Sequence, residues 1–412
     1  MTTTSDGGSG SLRAAITAAN ASAEANLRIE LGTGTYTLGS CRRDDDNIGG
    51  DLDITTNRPI TIAAKAAGVV IRQTCAGERV LDHHGSGLLT LSGVTITGGN
   101  LSAQAAEVAR GGGVRARGAL RLQNATLREN SASGAPGLGA PAGGAVADGG
   151  AAEGGGVYAG SGLQAADSVI ALNTATGGAA GAAPTSNGLA SSGGSAAGGG
   201  AFVVGSIELT GGSLDQNRAI GSDGGIGQSS VGGGGFARGG GVAQGEPGAG
   251  PVNLSGVTLT GNVARGGASP YIAGNVYSGG AATGGAIAAS HAVIASNLNA
   301  SQNQAVGGST GVLNCSGSFC FPTASYGSAR GGALATTAGA EIRSSSFSEN
   351  EVSSGGGVSG QIQIAGGAVW AHASLQVNGG AFTSNRVRAQ VPVFGVTLPT
   401  DYVLGGALAG DA

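Results

Sequence analysis

The chain has 412 residues, 86 of them glycine and only 3% aromatic, so a core built on Leu, Phe and Trp is excluded and the length does not translate into two or three ordinary globular domains. Hydrophobic residues still make up 40%, largely Ala and Val, which excludes a simply solvated disordered tract, and 10 prolines without glycine at every third position exclude collagen. A net charge of −4 with 11% charged residues supplies neither a basic stripe nor an acidic tail, so nucleic acid is not an expected partner.

Met1-Thr-Thr-Thr-Ser lacks the basic start and apolar stretch of a secretory signal. No run of about 18 apolar residues marks a membrane span. The first predicted element is a short helix, because Leu12, Ala15, Ile16 and Ala19 fall on one helical face. Residues 1–26 are therefore expected to cap the open end of a strand-rich body and to hide its strand edges. Strand-like runs come next: Ile29-Glu30-Leu31, Thr35 to Leu38, Leu52-Asp53-Ile54, Ile60-Thr61-Ile62, Val69-Val70-Ile71, Val80-Leu81 and Leu88 to Ile96. They place the first coils in residues 27–110.

From residue 111 to 412 a repeat takes over. A Gly-Gly-small triplet precedes an apolar anchor at Val114, Val157, Phe202, Val242, Ile287, Leu334, Val369 and Leu408, at intervals of 35 to 47 residues. An asparagine follows each of the first seven anchors: Asn130, Asn173, Asn217, Asn262, Asn303, Asn350 and Asn385. The spacing is 16 residues in five cases, 15 from Phe202 and 20 from Val242. Between anchor and asparagine lie period-2 alternations such as Leu120-Arg121-Leu122 and Ile207-Glu208-Leu209, too short to stand alone. Each unit can bury its apolar face only by stacking on its neighbours, which predicts an all-β, right-handed parallel β-helix. The asparagines are expected to stack as a structural ladder, and the segments after them, such as 177–198 and 307–330, to be Gly/Ala-rich loop inserts. A second, poorly patterned coil within each period is the alternative to one coil plus insert. Gly405-Gly-Ala-Leu408 opens a last coil that is incomplete at Ala412.

Ser11-Leu12-Arg13 with the following Ala-Ile and Ala-Ala-Asn, Gly34-Thr-Tyr-Thr-Leu38 and Gly50-Asp-Leu-Asp-Ile54 resemble the start of CSLREA-type β-helix proteins. Gly10 and Ala14 stand where that motif has cysteine and glutamate. Gly284-Gly-Ala-Ile287, Gly331-Gly-Ala-Leu334 and Gly366-Gly-Ala-Val369, with Phe347-Ser-Glu-Asn350 and Phe382-Thr-Ser-Asn385, are similar to repeats of polymorphic outer-membrane autotransporter passengers. The resemblance implies export, surface exposure and adhesion.

The four cysteines point to an oxidising compartment. Of three possible pairings, Cys41–Cys75 and Cys315–Cys320 are the favoured one. Asp44, Asp45, Asp46, Asp51 and Asp53 form the densest acidic group and are the candidate ligands for Ca²⁺, the one cofactor that the residues suggest. In the repeats acids are sparse; neighbouring coils offer only Asp167 with Glu208, so no catalytic residue is assigned. Tyr271, Tyr277, Phe319, Phe321 and Tyr326 cluster in the C-terminal inserts, as candidate binding aromatics. The resulting expectation is an extracellular or cell-surface structural or adhesive β-helix that presents a binding surface to glycans or surface proteins. The alternative is a polysaccharide-active lyase or glycoside hydrolase on the same fold, which needs carboxylates and an arginine to meet in one groove.

Overall fold

Each period folds into one coil of a parallel β-helix, visible in the strand register of the computed structural model. It describes residues 2–42, 45–104, 107–139, 146–181, 190–227, 230–246, 250–272, 275–310, 327–355, 364–389 and 403–410. One coil runs Ala152–Glu153, Val157–Ala159, Gly162–Ala166, Val169–Ala171 and Thr174–Thr176. It pairs in parallel with the next coil at Ala152↔Ala196, Val157↔Ala201, Leu163↔Ile207, Ile170↔Leu214 and Thr174↔Arg218. Repetition builds four parallel sheets among the described residues. Sheet 1 has 18 strands, two from most coils; sheet 2, which carries the anchors, has 10; sheets 3 and 4 have 8 each.

The interior has two lobes. Between sheets 1 and 2 lie columns of larger aliphatic residues, among them Leu120, Leu163 and Ile207, and Leu127, Ile170, Leu214 and Leu259, all buried. Between sheets 3 and 4 the filling is almost entirely alanine, from Ala109 and Ala132 to Ala305 and Ala329, with Val352 and Ile364 toward the C-terminal end. Small side chains thus bring these two sheets close together, and Ala-rich composition becomes a thin second core rather than filler.

The register corrects one anchor. Ala201, not Phe202, pairs with Val157 and Val242 and points inward. This restores the 16-residue spacing to Asn217 and turns Phe202 outward, where its ring stacks on Tyr158 with centroids 5.8 Å apart.

At the waist between the lobes the Gly-Gly and Asn signatures meet. A Cβ at Gly156 would come within 2.8 Å of the Asn173 side chain, and one at Gly155 within 2.3 Å of the Thr174 backbone. Any larger residue would push the two walls apart. Asn173 Nδ2 donates to Asn217 Oδ1 at 3.0 Å and to Leu127 O at 2.9 Å, while the Asn173 backbone N–H donates to the same Asn217 oxygen at 3.1 Å. The pattern recurs from Asn130 to Asn385, with side-chain links of 2.9–3.0 Å. Within the stack both amide hydrogens and both oxygen lone pairs are used, the condition for burying a primary amide at low cost.

The inserts are joined where they leave the solenoid. Outgoing arms pass through Gly178, Ser222, Gly267 and Gly308, and returning arms through Gly150, Gly194, Gly235 and Gly280. N–H groups link them in a zigzag: Ser222 to Gly194 O at 2.9 Å, Gly235 to Ser222 O at 2.8 Å, Gly267 to Gly235 O at 2.9 Å, Gly280 to Gly267 O at 2.8 Å. Along the axis, donors recur three residues apart, as in Gly221 to Arg265 O and Gly224 to Ala268 O, both 2.8 Å. That period belongs to extended chains with three residues per turn, which lack internal hydrogen bonds and must bond sideways. A Cβ at Gly235 would lie 1.9 Å from Gly194 O, so glycine is required where the arms touch.

The N-terminal end is closed by α1 (Leu12–Ala21), with Ser11 as N-cap accepting from Ala14 N. Leu12, Ile16 and Ala19 enter the main core. Arg13, 5% exposed, pairs with Asp6 at 2.7 Å and donates to the carbonyls of Gly49, Gly50 and Asp51 at 2.7–3.0 Å. Ser11, Leu12 and Arg13 therefore act as cap, core plug and loop clamp. Cys41 and Cys75 form a disulfide; Cys315 and Cys320 lie outside the described residues. No described helix is long and apolar enough to cross a membrane.

Candidate functional site

Three consecutive strands of sheet 2, Leu52–Ile54, Leu81–His83 and Val114–Ala116, pair in register. Alternation turns the middle residue of each outward, so Asp53, Asp82 and Arg115 form a column. The neighbouring segments add Asp45, Asp51, Glu78, Arg79, His84 and Arg117. With Leu101, Gln104 and Glu107 these residues line a cleft of 380 Å³, within the range of about 300–1,000 Å³ usual for ligand sites. It continues along the solenoid past Val108 and Arg110. A larger groove of 520 Å³ lies between α1 and Leu27–Glu30, but its charged residues Arg28, Glu30 and Lys65 are already paired with one another.

The floor of the cleft is an ion network. Arg79 Nη1 contacts both Asp51 Oδ2, at 3.2 Å, and Asp82 Oδ2. Arg115 embraces Asp82 through Nε at 2.7 Å and Nη2 at 2.5 Å. His84 Nε2 lies 3.2 Å from Asp53 Oδ1 and 3.6 Å from Asp82 Oδ2. Asp53 also accepts from the Asn47 backbone N–H at 3.1 Å. Burial pushes Asp51 up to about 7, helped by the neighbouring carboxylates and opposed by Arg79. Burial likewise raises Asp53, whereas the hydrogen bond to Asp53 raises His84. His83, on the inward side of its strand, is lowered by burial.

Of the proposed Ca²⁺ ligands, Asp44 lies outside the described residues and Asp46 is exposed. Asp45 and Asp53 converge with His84, and Asp51 and Asp53 with Asp82, each trio holding ligand atoms within 4.8 Å of one another. The positive charge that such a cluster calls for is supplied in place by Arg79, Arg115 and His84. Glu208 sits beside Gln164, at 3.3 Å, rather than beside Asp167. Tyr277 is exposed, Tyr271 belongs to a two-strand antiparallel hairpin with Asn275–Val276, and Phe319, Phe321 and Tyr326 lie outside the described residues.

Sequence reasoning missed Glu78, Arg79, Asp82, His84, Arg115 and Arg117, because coil-to-coil neighbours are about thirty residues apart in the chain. The signal was present in the apolar-x-apolar triplets: aligning Leu52-Asp-Ile, Leu81-Asp-His and Val114-Arg-Ala stacks their central residues. The rim of the cleft has a different character from its floor. No side-chain hydrogen bond joins Arg117, Gln104 or Glu107 to another described residue, and all three are exposed. On the next coil, Tyr158 is held between Arg110, whose guanidinium lies 5.1 Å from the ring centroid, and Phe202, and is partly exposed. Comparison with protein-family models, curated proteins and solved structures finds no match to this chain.

Proposed function

We propose that this protein is an extracellular or cell-surface β-helix of CSLREA type, with autotransporter-like repeats, that binds glycans through the cleft of its first coils. The observation that carries this reading is the contrast within the cleft: a charge-compensated floor that fixes the backbone, beneath a rim of uncommitted polar side chains. Planar guanidinium, amide and carboxylate groups at such a rim suit neighbouring hydroxyls, each accepting or donating in pairs. The Cys41–Cys75 disulfide supports an oxidising compartment, and the resemblance of the N-terminal motifs and repeats supports export.

A second reading is favoured by Asp51. A carboxyl held near neutrality in a cleft that also contains Glu78 and Glu107 has the proton affinity of a general acid in glycoside hydrolysis. Against it, Asp51 is 3% exposed and engaged by Arg79.

One experiment separates the two. Neutral and uronate polysaccharides are incubated with the oxidised protein and analysed by size-exclusion light scattering. Co-elution at unchanged chain length is the expected result. Shortened chains would replace binding by hydrolysis or lysis, and neither co-elution nor shortening would remove the glycan reading.

A further inference from the structure

We infer that the cleft is selective for neutral, hydroxyl-rich sugar chains over uronates, with Arg117, Gln104 and Glu107 as its recognition residues. This rests on the glycan-binding reading above and deepens it. Six carboxyl groups surround the cleft, from Asp45, Asp51, Asp53, Glu78, Asp82 and Glu107, against Arg79, Arg115, Arg117 and His84. Arg79 and Arg115 are committed to Asp51 and Asp82, so Arg117 is the one cation at the rim without a carboxylate partner among the described residues. Asp45 and Glu107 stand exposed on the same rim. A polyanion entering here meets a local excess of carboxyl groups over cations within a Debye length, whereas a neutral hydroxylated ring meets three bidentate hydrogen-bonding groups.

The geometry of approach agrees. The cleft runs along the solenoid, from the His84 coil past Arg115 to Val108 and Arg110. Its far end changes from polar to apolar at the exposed side chain of Val108, an aliphatic contact for the C–H face of a sugar. A chain lying lengthwise therefore meets hydrogen-bonding groups first and an apolar edge second.

The test uses the full, oxidised chain and a panel of hexasaccharides: β-1,4-glucan, β-1,4-mannan, α-1,4-glucan and α-1,4-galacturonan. Affinities are measured by calorimetry at pH 8, with circular dichroism to verify that each variant folds. At least one neutral hexasaccharide is expected to bind at least tenfold more tightly than the galacturonan. Arg117→Ala and Gln104→Ala, both at exposed positions, are each expected to weaken it at least fivefold, and Phe236→Ala, at an exposed position outside the cleft, to leave it unchanged. Tighter binding of galacturonan would overturn the selectivity. Undiminished binding by folded Arg117→Ala and Gln104→Ala proteins, or its loss in Phe236→Ala, would overturn the assignment of the residues while leaving glycan binding itself standing. Failure of the wild type to bind any of the four, or any polymer, would overturn both.

Discussion

Replacing Asn217 by alanine tests how the coils are held in register. Asn217 is fully buried at mid-stack. Its Oδ1 accepts from Asn173 N at 3.1 Å and Asn173 Nδ2 at 3.0 Å, and its Nδ2 donates to Ile170 O and Asn262 Oδ1 at 2.8 and 3.0 Å. Truncation orphans two donors on Asn173 where water has no access. At about 1–3 kcal/mol for each buried unsatisfied group, the expected loss is about 2–6 kcal/mol. Asn385→Ala removes the same two bonds from Asn350 at the partly exposed end of the stack, where water replaces them, and should cost below about 1 kcal/mol. Asn217→Asp keeps the acceptor but sets a carboxylate oxygen against Ile170 O and Asn262 Oδ1, so it should be worse than alanine at pH 8. Native-state hydrogen exchange is the assay, since a solenoid opens locally and protection should fall mainly in the coils of Ile170 and Leu259. Equal costs for Asn217→Ala and Asn385→Ala, or a mid-stack cost under about 1 kcal/mol, would refute the reasoning.

Two further outcomes are expected. Because the folded-state pKa of Asp51 is raised from 3.8 to about 7, the native protein binds more protons than the unfolded chain in that window, and stability falls as pH rises through it. The charged His84 acts in the same direction, its contribution being lost as pH climbs above its ordinary 6.5. Asp51→Asn should therefore raise the unfolding free energy measured in urea at pH 8, by an amount bounded at about 4 kcal/mol, and leave it unchanged near pH 4; an unaltered pH profile would contradict this. Gly267→Ala places a Cβ 1.9 Å from Ser222 O, whereas at Gly7 nothing lies within 4 Å. The first should lose about 2 kcal/mol or more and become sensitive to limited proteolysis, and the second should behave as wild type.

Periodicity made the solenoid legible in the sequence. Asn130 to Asn385 recur 16 residues after the inward-facing anchor in six coils of seven because a stacked amide must meet its copy in every coil, and that demand survives variable inserts. Phe202 misled because Gly-Gly-Gly-Ala-Phe offers two readings of the same frame, and only pairing with Val157 selects Ala201. The insert glycines looked like loop composition, since nothing in a run of Gly, Ala and Ser announces lateral hydrogen bonding every third residue. The cleft was least legible. Asp82 and Arg115 belong to different coils, and without alignment of their strands each reads as an isolated surface charge. Residues such as Glu129, Leu172, Gln302 and Glu349, all left-handed with φ of 55–58°, also went unseen. They mark the corner that turns each asparagine inward, at positions where glycine would have been the obvious signal.

The uneven filling of the two lobes bears on how the chain acquires its fold. Glycine arms lose the most backbone freedom on ordering and have no side chains with which to recover it. They gain hydrogen bonds only when the neighbouring arms are already in place. The first coils, in contrast, hold Leu, Ile and Val with few glycine arms, a helix plug, the Arg13 clamp and a covalent cross-link. Folding energy is thus concentrated at the N-terminal end, which is also synthesised first. Assembly is expected to start at this end and extend one coil at a time, each finished layer serving as template for the next, so that the capped end acts as the seed of the whole structure.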